Sequence, residues 1–232
     1  MLTLRLPIED RRQGLAERPG AFNACAEASL SDAARPEGGD FAVALDRQAM
    51  AAQLEIACGY GAVVERVAAR HGFLPSVIAG LCSRRSGWGL LFSPTGVEGT
   101  RDFQARAAAA EGRRAPLPPD GLGFARGLMG LDYDRHPLAR ETLWRDPERN
   151  IEAAFAVIAQ HRATLRRCTT LQGTGLLRAS LGAFECGLKP VEHAIRWGLD
   201  VDSPTIGRRQ GGRGCGRDVL ARADFFQAEG WD

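Results

Sequence analysis

The segment that decides the fold is Ser76-Val77-Ile78-Ala79-Gly80-Leu81-Cys82-Ser83-Arg84-Arg85-Ser86-Gly87-Trp88-Gly89. Val77, Ile78 and Leu81 recur at the spacing of one helix face, so the pattern predicts an apolar helix. Pro75, a residue that the first turn of a helix tolerates, precedes it. Because the helix runs into polar residues and a Gly-flanked turn, we expect its tip to present Arg85 to a cleft.

Length and composition are those of an ordinary globular protein. The 232 residues suffice for one large domain, or for one domain with an appendage. Hydrophobic residues make up 44% of the chain and charged residues 25%, which is typical of such proteins. The formal net charge of +2 does not indicate a nucleic-acid partner. No apolar run approaches the roughly 20 residues of a membrane-spanning helix.

The N-terminal sequence shows no secretory signal. MLTLRLPIEDRRQG reaches Glu9 and Asp10 before the apolar stretch of a signal peptide develops. The protein is therefore expected to be cytosolic, to be exported by another route, or to continue upstream of this sequence.

The cysteines do not form a zinc-binding pattern. They are spread singly and no C-x-x-C occurs among Cys25, Cys58, Cys82, Cys168, Cys186 and Cys215. We expect buried free thiols, with one or two disulfides as the alternative if the protein is exported.

Composition shifts divide the chain into two parts. Residues 1–45 contain breakers at Pro19-Gly20 and around Gly38-Gly39, and they are expected to form a partly ordered N-terminal extension. Residues 46–232 are expected to form the domain. Its first part, up to about residue 70, is rich in Ala and helix-prone, with Gly72 as the predicted C-cap.

The middle of the domain is the least regular part. Pro and Gly punctuate residues 89–125, where only 103–112 has a helical pattern. The following segment, from Pro119 to Asp132, mixes Gly with alternating apolar residues, which predicts a short β-hairpin or bent ribbon.

The remaining chain is predicted to be helical. Asp146-Pro147 is a good N-cap and N1 pair for a helix over 147–166. Further helices are predicted over 176–186, 191–197 and 217–228, and a Gly/Arg-rich loop over 202–216. The fold class is therefore mainly α, with one small β element.

Carboxylates are the residues best suited to carry chemistry here. Acid–base cleavage of glycans uses carboxylates set across a cleft, one of them protonated. Asp132 follows an apolar ribbon that would hold it rigidly, and Asp120 begins that ribbon. The full set of candidates is Glu98, Asp120, Asp132, Asp134, Glu185 and Glu192.

The histidines and the Gly-rich loop point to no chemistry. The four histidines have no spacing typical of a catalytic triad or a metal site, and His161 is expected to be exposed. Gly211-Gly212-Arg213-Gly214 lacks the Lys-Ser/Thr of a phosphate loop. We expect no metal and no cofactor.

Several segments between Tyr60 and Trp231 resemble one family when they are taken in order. They are Pro75–Gly80 with Ser83–Ser86, Pro118–Gly121 with Gly127–Asp132, Trp144–Pro147 with Asn150-Ile151, Ala183–Gly187, and Arg217–Ala223. Together they resemble the goose-type lysozymes and, more closely, the related bacterial lytic-transglycosylase-like proteins.

The resemblance implies a mostly helical, lysozyme-like fold with a small β element. Members bind peptidoglycan and cleave the β-1,4 link between N-acetylmuramic acid and N-acetylglucosamine, which implies an extracellular or cell-wall location. Asp132 and Asp120 resemble aspartates that help to position water. The matched motifs imply substrate contacts by Ser83, Met129, Phe184 and Gly187.

The chain departs from the family at the positions that matter most. The family's general acid is the Glu of a Ser-Arg-Glu-Ser motif, and Arg85 stands in its place. Leu-Met-Gln becomes Leu-Met-Gly at Gly130, Ala-Tyr-Asn becomes Ala-Phe-Glu at Glu185, and a Tyr near the last motif becomes Cys215.

The joint appearance of Arg85 and Glu185 predicts a compensating salt bridge. An arginine, whose pKa is about 12.5 or higher, cannot act as the acid. It would instead lower the pKa of a neighbouring Asp132 carboxyl group or form a salt bridge with Glu185.

Three functions remain open at this point. The first is a pseudoenzyme that binds peptidoglycan or a related glycan without cutting it. The second is an active cell-wall glycosidase in which Glu185 supplies the proton. The third is a scaffold with a structural or protein-binding role. The sequence does not indicate an oligomeric state.

Overall fold

The computed structural model describes residues 44–107, 114–115, 117–202 and 214–232. Within these ranges the chain is mainly helical, with two small antiparallel sheets. The helices are α1 (Arg47–Cys58), α2 (Gly61–His71), α3 (Pro75–Ser86), α4 (Pro147–Cys168), α5 (Gly173–Cys186), α6 (Leu188–Arg196) and α7 (Cys215–Ala228). The strands are β1 (Thr100–Arg101), β2 (Arg106–Ala107), β3 (Arg114–Ala115), β4 (Ala125–Arg126) and β5 (Leu131–Asp132). Two 3-10 helices, Pro137–Arg140 and Thr142–Arg145, connect β5 to α4.

Helix α3 is the buried centre of the fold. It begins at Pro75 and ends where Gly87 adopts the left-handed conformation, with φ of 56°, as glycine does at many helix ends. Apart from Pro75, Arg84 and Arg85, every residue of the helix is buried. The predicted apolar helix with a polar tip is confirmed.

Helix α7 packs directly against α3 at a glycine. A Cβ atom on Gly80 would lie 2.6 Å from the carbonyl oxygen of Val219 and 2.9 Å from the backbone nitrogen of Ala223. These distances are too short for any side chain, so Gly80 lets the two helix backbones approach closely.

The turn after α3 is held by aromatic packing. Trp88 is buried and has a φ of 57°, a conformation that is uncommon for a large side chain. Its indole stacks on Tyr60 with ring centroids 5.7 Å apart and also packs against Phe226 and Trp231. This packing fixes where the chain leaves the tip of α3.

The three-stranded sheet has the order β1-β4-β5 and lies beside the tip of α3. Ala125 pairs with Asp132 and, on its other side, with Arg101. The alternate residues Thr100 and Arg126 pair with each other and are buried. Because cross-strand partners share a face, the sheet has a buried face and a face that carries Arg101, Ala125 and Asp132.

The predicted ribbon over Pro119–Asp132 is confirmed as the β4-β5 hairpin. The helix predicted over 103–112 is wrong for its described residues, because β2 pairs with β3 in a second, two-stranded sheet. The Ala-rich pattern there favours a helix locally. Ion pairs of Arg106 with the distant Asp132 and Asp134 override that preference.

The other predicted helices are confirmed, most with shifted ends. Asp146 caps α4 by accepting a hydrogen bond from the backbone N–H of Arg149, and Gly72 ends α2 with φ of 65°. Helices α5, α6 and α7 begin two or three residues before the predicted positions. None of the helices in the described ranges is long and apolar enough to cross a membrane.

Two predictions fall largely outside the described residues. They are the partly ordered extension, of which only residues 44 and 45 are described, and the loop over 202–216, of which 203–213 are not. The five described cysteines are free thiols, as predicted. Cys82 and Cys215 are buried, whereas Cys58 and Cys168 are exposed, contrary to the expectation of burial.

Candidate functional site

The tip of α3 delivers Arg85 to the candidate site. The residue lies in the last turn of the helix, just before the left-handed Gly87. Its side chain is 19% exposed, so the guanidinium is largely enclosed by protein. The neighbouring residues that contact it come from the β4-β5 turn and from the end of α5.

Arg85 forms a salt bridge with Glu185, as predicted. Nη1 of Arg85 donates to both carboxylate oxygens of Glu185, at 2.8 and 2.7 Å. The carboxylate is only 7% exposed. Of the two partners proposed for Arg85, the structure therefore selects Glu185, which is 100 residues away along the chain.

The β4-β5 turn supplies two further acceptors to the same guanidinium. Nε of Arg85 donates to the carbonyl oxygen of Met129 at 3.0 Å, and Nη2 donates to that of Gly130 at 2.5 Å. Gly130 has a φ of 54°, and a Cβ there would lie 3.2 Å from Nη2 of Arg85. The glycine thus provides both the backbone conformation and the space that the arginine needs.

Asn150 holds this turn in place from the first turns of α4. Its Oδ1 accepts from the backbone N–H of Met129 at 2.8 Å. Its Nδ2 donates to the carbonyl oxygens of Arg126 and Trp144, each at 3.2 Å. The amide is completely buried, so these bonds orient the turn whose carbonyl groups bind Arg85.

Three of the four positions that differ from the resembling motifs are in direct contact, and the fourth lies near them. Arg85 contacts Glu185 and Gly130 directly. Cys215 is buried at the start of α7, and burial together with the charge of Glu185 raises the pKa of its thiol. Four positions spread over 131 residues of sequence therefore form one neighbourhood, which we call the Arg85 site.

Asp132 is engaged by another arginine. Nη1 of Arg106 donates to the Asp132 carboxylate at 2.7 Å and to that of Asp134 at 3.2 Å, while Nη2 donates to Asp102 at 2.5 Å. The guanidinium also lies over the ring of Phe124, 3.9 Å from its centroid. Asp132 is therefore held in place by the Arg106 guanidinium as well as by the predicted apolar ribbon that carries it.

Asp120 is likewise bound to an arginine. Both of its oxygens accept from the buried guanidinium of Arg126, at 2.7 Å each. These hydrogen bonds hold the pKa of the Asp120 carboxyl below its ordinary value. Arg126 also donates to the carbonyl oxygens of Gly123 and Ala139, so the pair fastens the loop before β4 to the 3-10 helix.

The residues expected to contact substrate lie at different depths. Ser83 is buried beneath the tip of α3 and hydrogen-bonds to Gln53 and Arg222. The Met129 side chain is completely buried, and Phe184 is 7% exposed. Gly187 ends α5 with φ of 92°. Of these residues, Met129 and Phe184 lie against Arg85, whereas Ser83 bonds to side chains of α1 and α7.

His136 and Arg135 belong to the site but were not among the candidates from the sequence. The His136 ring lies 5.6 Å from that of Phe184, which in turn lies 5.8 Å from the Arg85 guanidinium. Burial lowers the pKa of His136. Arg135 donates to the carbonyl oxygen of Glu185 at 3.1 Å. A turn before a proline carries no local signal of such long-range contacts.

The other candidate carboxylates lie in ordinary surroundings. Glu98 is exposed, and Glu192 lies 3.9 Å from the Cys168 thiol. His161, predicted to be exposed, is half-buried on α4, and burial lowers its pKa. No group of three or more His, Cys, Asp or Glu residues in the described ranges is arranged to hold a metal ion.

The candidate carboxylates of the site are all engaged by arginines. Each of the three site carboxylates accepts hydrogen bonds from a guanidinium: Asp120 from Arg126, Asp132 from Arg106 and Glu185 from Arg85. A carboxyl group that serves as an acid must carry a proton and present it to the leaving oxygen.

No protein-family model matches the chain, and no curated protein matches it.

Proposed function

We propose that this chain is a lysozyme-like domain that binds peptidoglycan or a related glycan without cleaving it. The mainly helical fold with a small antiparallel sheet beside the tip of a buried central helix supports this proposal. So does the order of the motifs along the chain. The observation that carries it is the Arg85–Glu185 salt bridge, formed at the position where the resembling family has its acid.

The salt bridge is the physical reason for proposing that the chain does not cleave the glycan. The Arg85 guanidinium remains charged at neutral pH and cannot transfer a proton to a leaving group. Loss of a general acid lowers a rate about 10²- to 10⁴-fold. Both oxygens of Glu185 accept hydrogen bonds from Arg85, so the geometry disfavours Glu185 as a displaced acid.

Binding and cleavage are tested separately with the purified chain. We expect the protein to sediment with insoluble peptidoglycan, well above a heat-denatured control, and to leave the turbidity of a wall suspension unchanged. Absence of retention would exclude the binding proposal and favour a scaffold role. Clearing by the wild type that is lost in Glu185→Gln would instead establish catalysis by Glu185.

A pair of double variants tests how the site is inactivated. Arg85→Glu/Glu185→Asn restores the acid and the neutral residue that the resembling family carries, and it avoids placing two carboxylates against each other. Arg85→Gln/Glu185→Asn is the matched control, because it differs only in the protonatable group. We expect slow clearing of walls by the first variant and none by the second. If the walls stay turbid with both variants, residues other than those at positions 85 and 185 must also prevent cleavage.

A further inference from the structure

Trp197 is the most exposed tryptophan in the described part of the chain. It directly follows α6, and 67% of the residue is open to solvent. Trp88 and Trp144, by contrast, are buried in the core, and Trp231 is half-buried against Trp88. The indole of Trp197 is therefore available to a ligand.

The backbone around Trp197 holds the ring in a defined place. The N–H of Trp197 donates to the carbonyl oxygens of His193 and Ala194, at 3.1 and 3.2 Å. The chain then turns at Gly198, which has a φ of 63°, and the N–H of Leu199 donates to the Ala194 carbonyl oxygen at 2.9 Å. These hydrogen bonds close the end of α6, so a ligand that binds there has little backbone to order.

Two hydrogen-bonding groups border this exposed ring. His193 lies one helical turn earlier, with its ring centroid 5.9 Å from that of Trp197 and the two planes at 44°. The imidazole is exposed, and neither it nor the indole Nε1–H makes a hydrogen bond or an ion pair within the described residues. A flat apolar face beside free polar groups suits a sugar, whose C–H groups contact the negative π face while its hydroxyl groups form hydrogen bonds.

The exposed apolar area favours a small ligand over a protein surface. A tryptophan buries at most about 250 Å². The open 67% of Trp197 therefore offers about 170 Å². Even with the exposed Leu199 beside it, this area falls far short of the roughly 800 Å² that each partner contributes to a stable protein–protein interface. The surface matches a single sugar ring.

Chain connectivity keeps Trp197 within reach of a glycan bound at the Arg85 site. Glu185 and Leu188, the first residue of α6, are three residues apart, which spans at most about 11 Å. A helical rise of about 1.5 Å per residue places Trp197 about 14 Å further along. The Cα atoms of Glu185 and Trp197 are therefore at most about 25 Å apart, a distance that several sugars of one glycan strand cover.

We propose that Trp197 and His193 form a sugar-binding platform outside the Arg85 site, on which an N-acetylglucosamine ring stacks. The proposal rests on the proposed glycan-binding function and deepens it by naming a second subsite. N-acetylglucosamine fits better than N-acetylmuramic acid, because its ring lacks the bulky lactyl ether. The imidazole and the indole N–H bind its hydroxyl and acetamido groups.

The first experiment follows the Trp197 indole by fluorescence. Acrylamide quenches this ring most readily, because the other described tryptophans are buried or half-buried. A tetrasaccharide of N-acetylglucosamine is expected to shift the emission to shorter wavelength and to reduce the quenching. Trp197→Ala should show neither change. The same changes in that variant would overturn the platform.

The second experiment measures affinity for the tetrasaccharide by calorimetry. Trp197→Ala is expected to weaken binding about tenfold, whereas Trp197→Phe, which keeps a flat ring, retains most of the affinity. Leu143→Ala is the matched control, because it removes another exposed apolar side chain, and it should bind as the wild type does. The melting temperature of each variant checks that it is folded. Equal affinity of Trp197→Ala and the wild type would overturn the platform.

The outcomes separate the platform from the proposed function. Wild-type protein that is retained on peptidoglycan, with the tetrasaccharide affinity unchanged in Trp197→Ala, overturns the platform alone. Tetrasaccharide binding that depends on Trp197, without retention on peptidoglycan, supports the platform and overturns peptidoglycan as its ligand. Absence of both overturns the two proposals together. A lower sedimentation coefficient for Trp197→Ala than for the wild type would identify a second copy of the chain as the occupant and overturn the platform.

Discussion

The Arg85–Glu185 salt bridge is expected to be a strongly coupled pair, which a double-mutant cycle can measure. The Coulomb attraction between charges 2.7 Å apart is about 6 kcal/mol at an effective dielectric constant of about 20. Desolvation of two largely buried groups offsets much of this energy. The cost of removing one partner is therefore set mainly by the group that is left behind.

Arg85→Met leaves the Glu185 carboxylate, which is 7% exposed, without its guanidinium partner. It also leaves the carbonyl oxygens of Met129 and Gly130 without their donors. We expect a loss of about 3 kcal/mol in the free energy of unfolding. Glu185→Leu is expected to cost about 2 kcal/mol, because Arg85 keeps both carbonyl acceptors and some solvent.

The double variant Arg85→Met/Glu185→Leu is expected to cost about 2.5 kcal/mol, since neither charge is then left unpaired. The coupling free energy is therefore about 2.5 kcal/mol, within the range found for contacting residues. Urea unfolding at neutral pH, followed by circular dichroism, measures all four proteins of the cycle.

The pair between Arg66 and Glu148 is the matched control. It joins two helices through hydrogen bonds of 2.6 and 3.1 Å, yet its side chains are 51% and 39% exposed. The same substitutions there, to Met and Leu, should show little coupling, because water screens exposed charges. A coupling below about 0.5 kcal/mol for Arg85 and Glu185 would refute the reasoning that the site is held together by this charge pair.

Three further predictions concern the scaffold. Asn150→Ala leaves the buried N–H of Met129 without an acceptor, so a loss of about 3 kcal/mol in unfolding free energy is expected; a loss below about 1 kcal/mol would contradict that role for Asn150. Gly80→Ala should lower the free energy of unfolding by about 1–3 kcal/mol, because the new Cβ would lie 2.6 Å from the Val219 carbonyl oxygen. Helix propensity alone predicts the opposite, a stabilisation. A lower melting temperature therefore supports the close helix contact, and a higher one contradicts it. Burial lowers the pKa of His161 in the folded protein below its ordinary 6.5. As the pH falls below that value, the imidazole binds a proton more readily in the unfolded chain than in the folded protein, so the free energy of unfolding decreases. His161→Phe should reduce that drop between about pH 7.5 and about pH 5, measured by urea unfolding at each pH, and an unchanged drop would argue against burial as the cause.

The helices and their ends follow from signals within a few residues of each other. Helix α3 begins at Pro75, which the first helical turn tolerates, and ends at Gly87, which adopts the left-handed conformation. Asp146 caps α4 through a hydrogen bond that spans three residues. Such interactions form within a single helical turn, so the local sequence is enough to predict them.

The pairing of Arg85 with Glu185 was predicted because two substitutions in the resembling motifs have opposite charges. The sequence alone left Asp132 open as the partner. Arg85 pairs with Glu185 because the end of α5 and the β4-β5 turn both meet the tip of α3. Packing between these distant segments determines that arrangement.

Local pattern alone misled where a distant partner determines the structure. Residues 103–107 look helical because Ala favours helices, yet Arg106 forms ion pairs with Asp132 and Asp134 across the β4-β5 hairpin. The exposed position of Arg101 also depends on the register of β1 with β4. Sequence by itself therefore determined the helices, their caps, the hairpin and the two charges that meet. Only the tertiary structure decided which arginine holds which carboxylate, because those contacts join residues that no local interaction links.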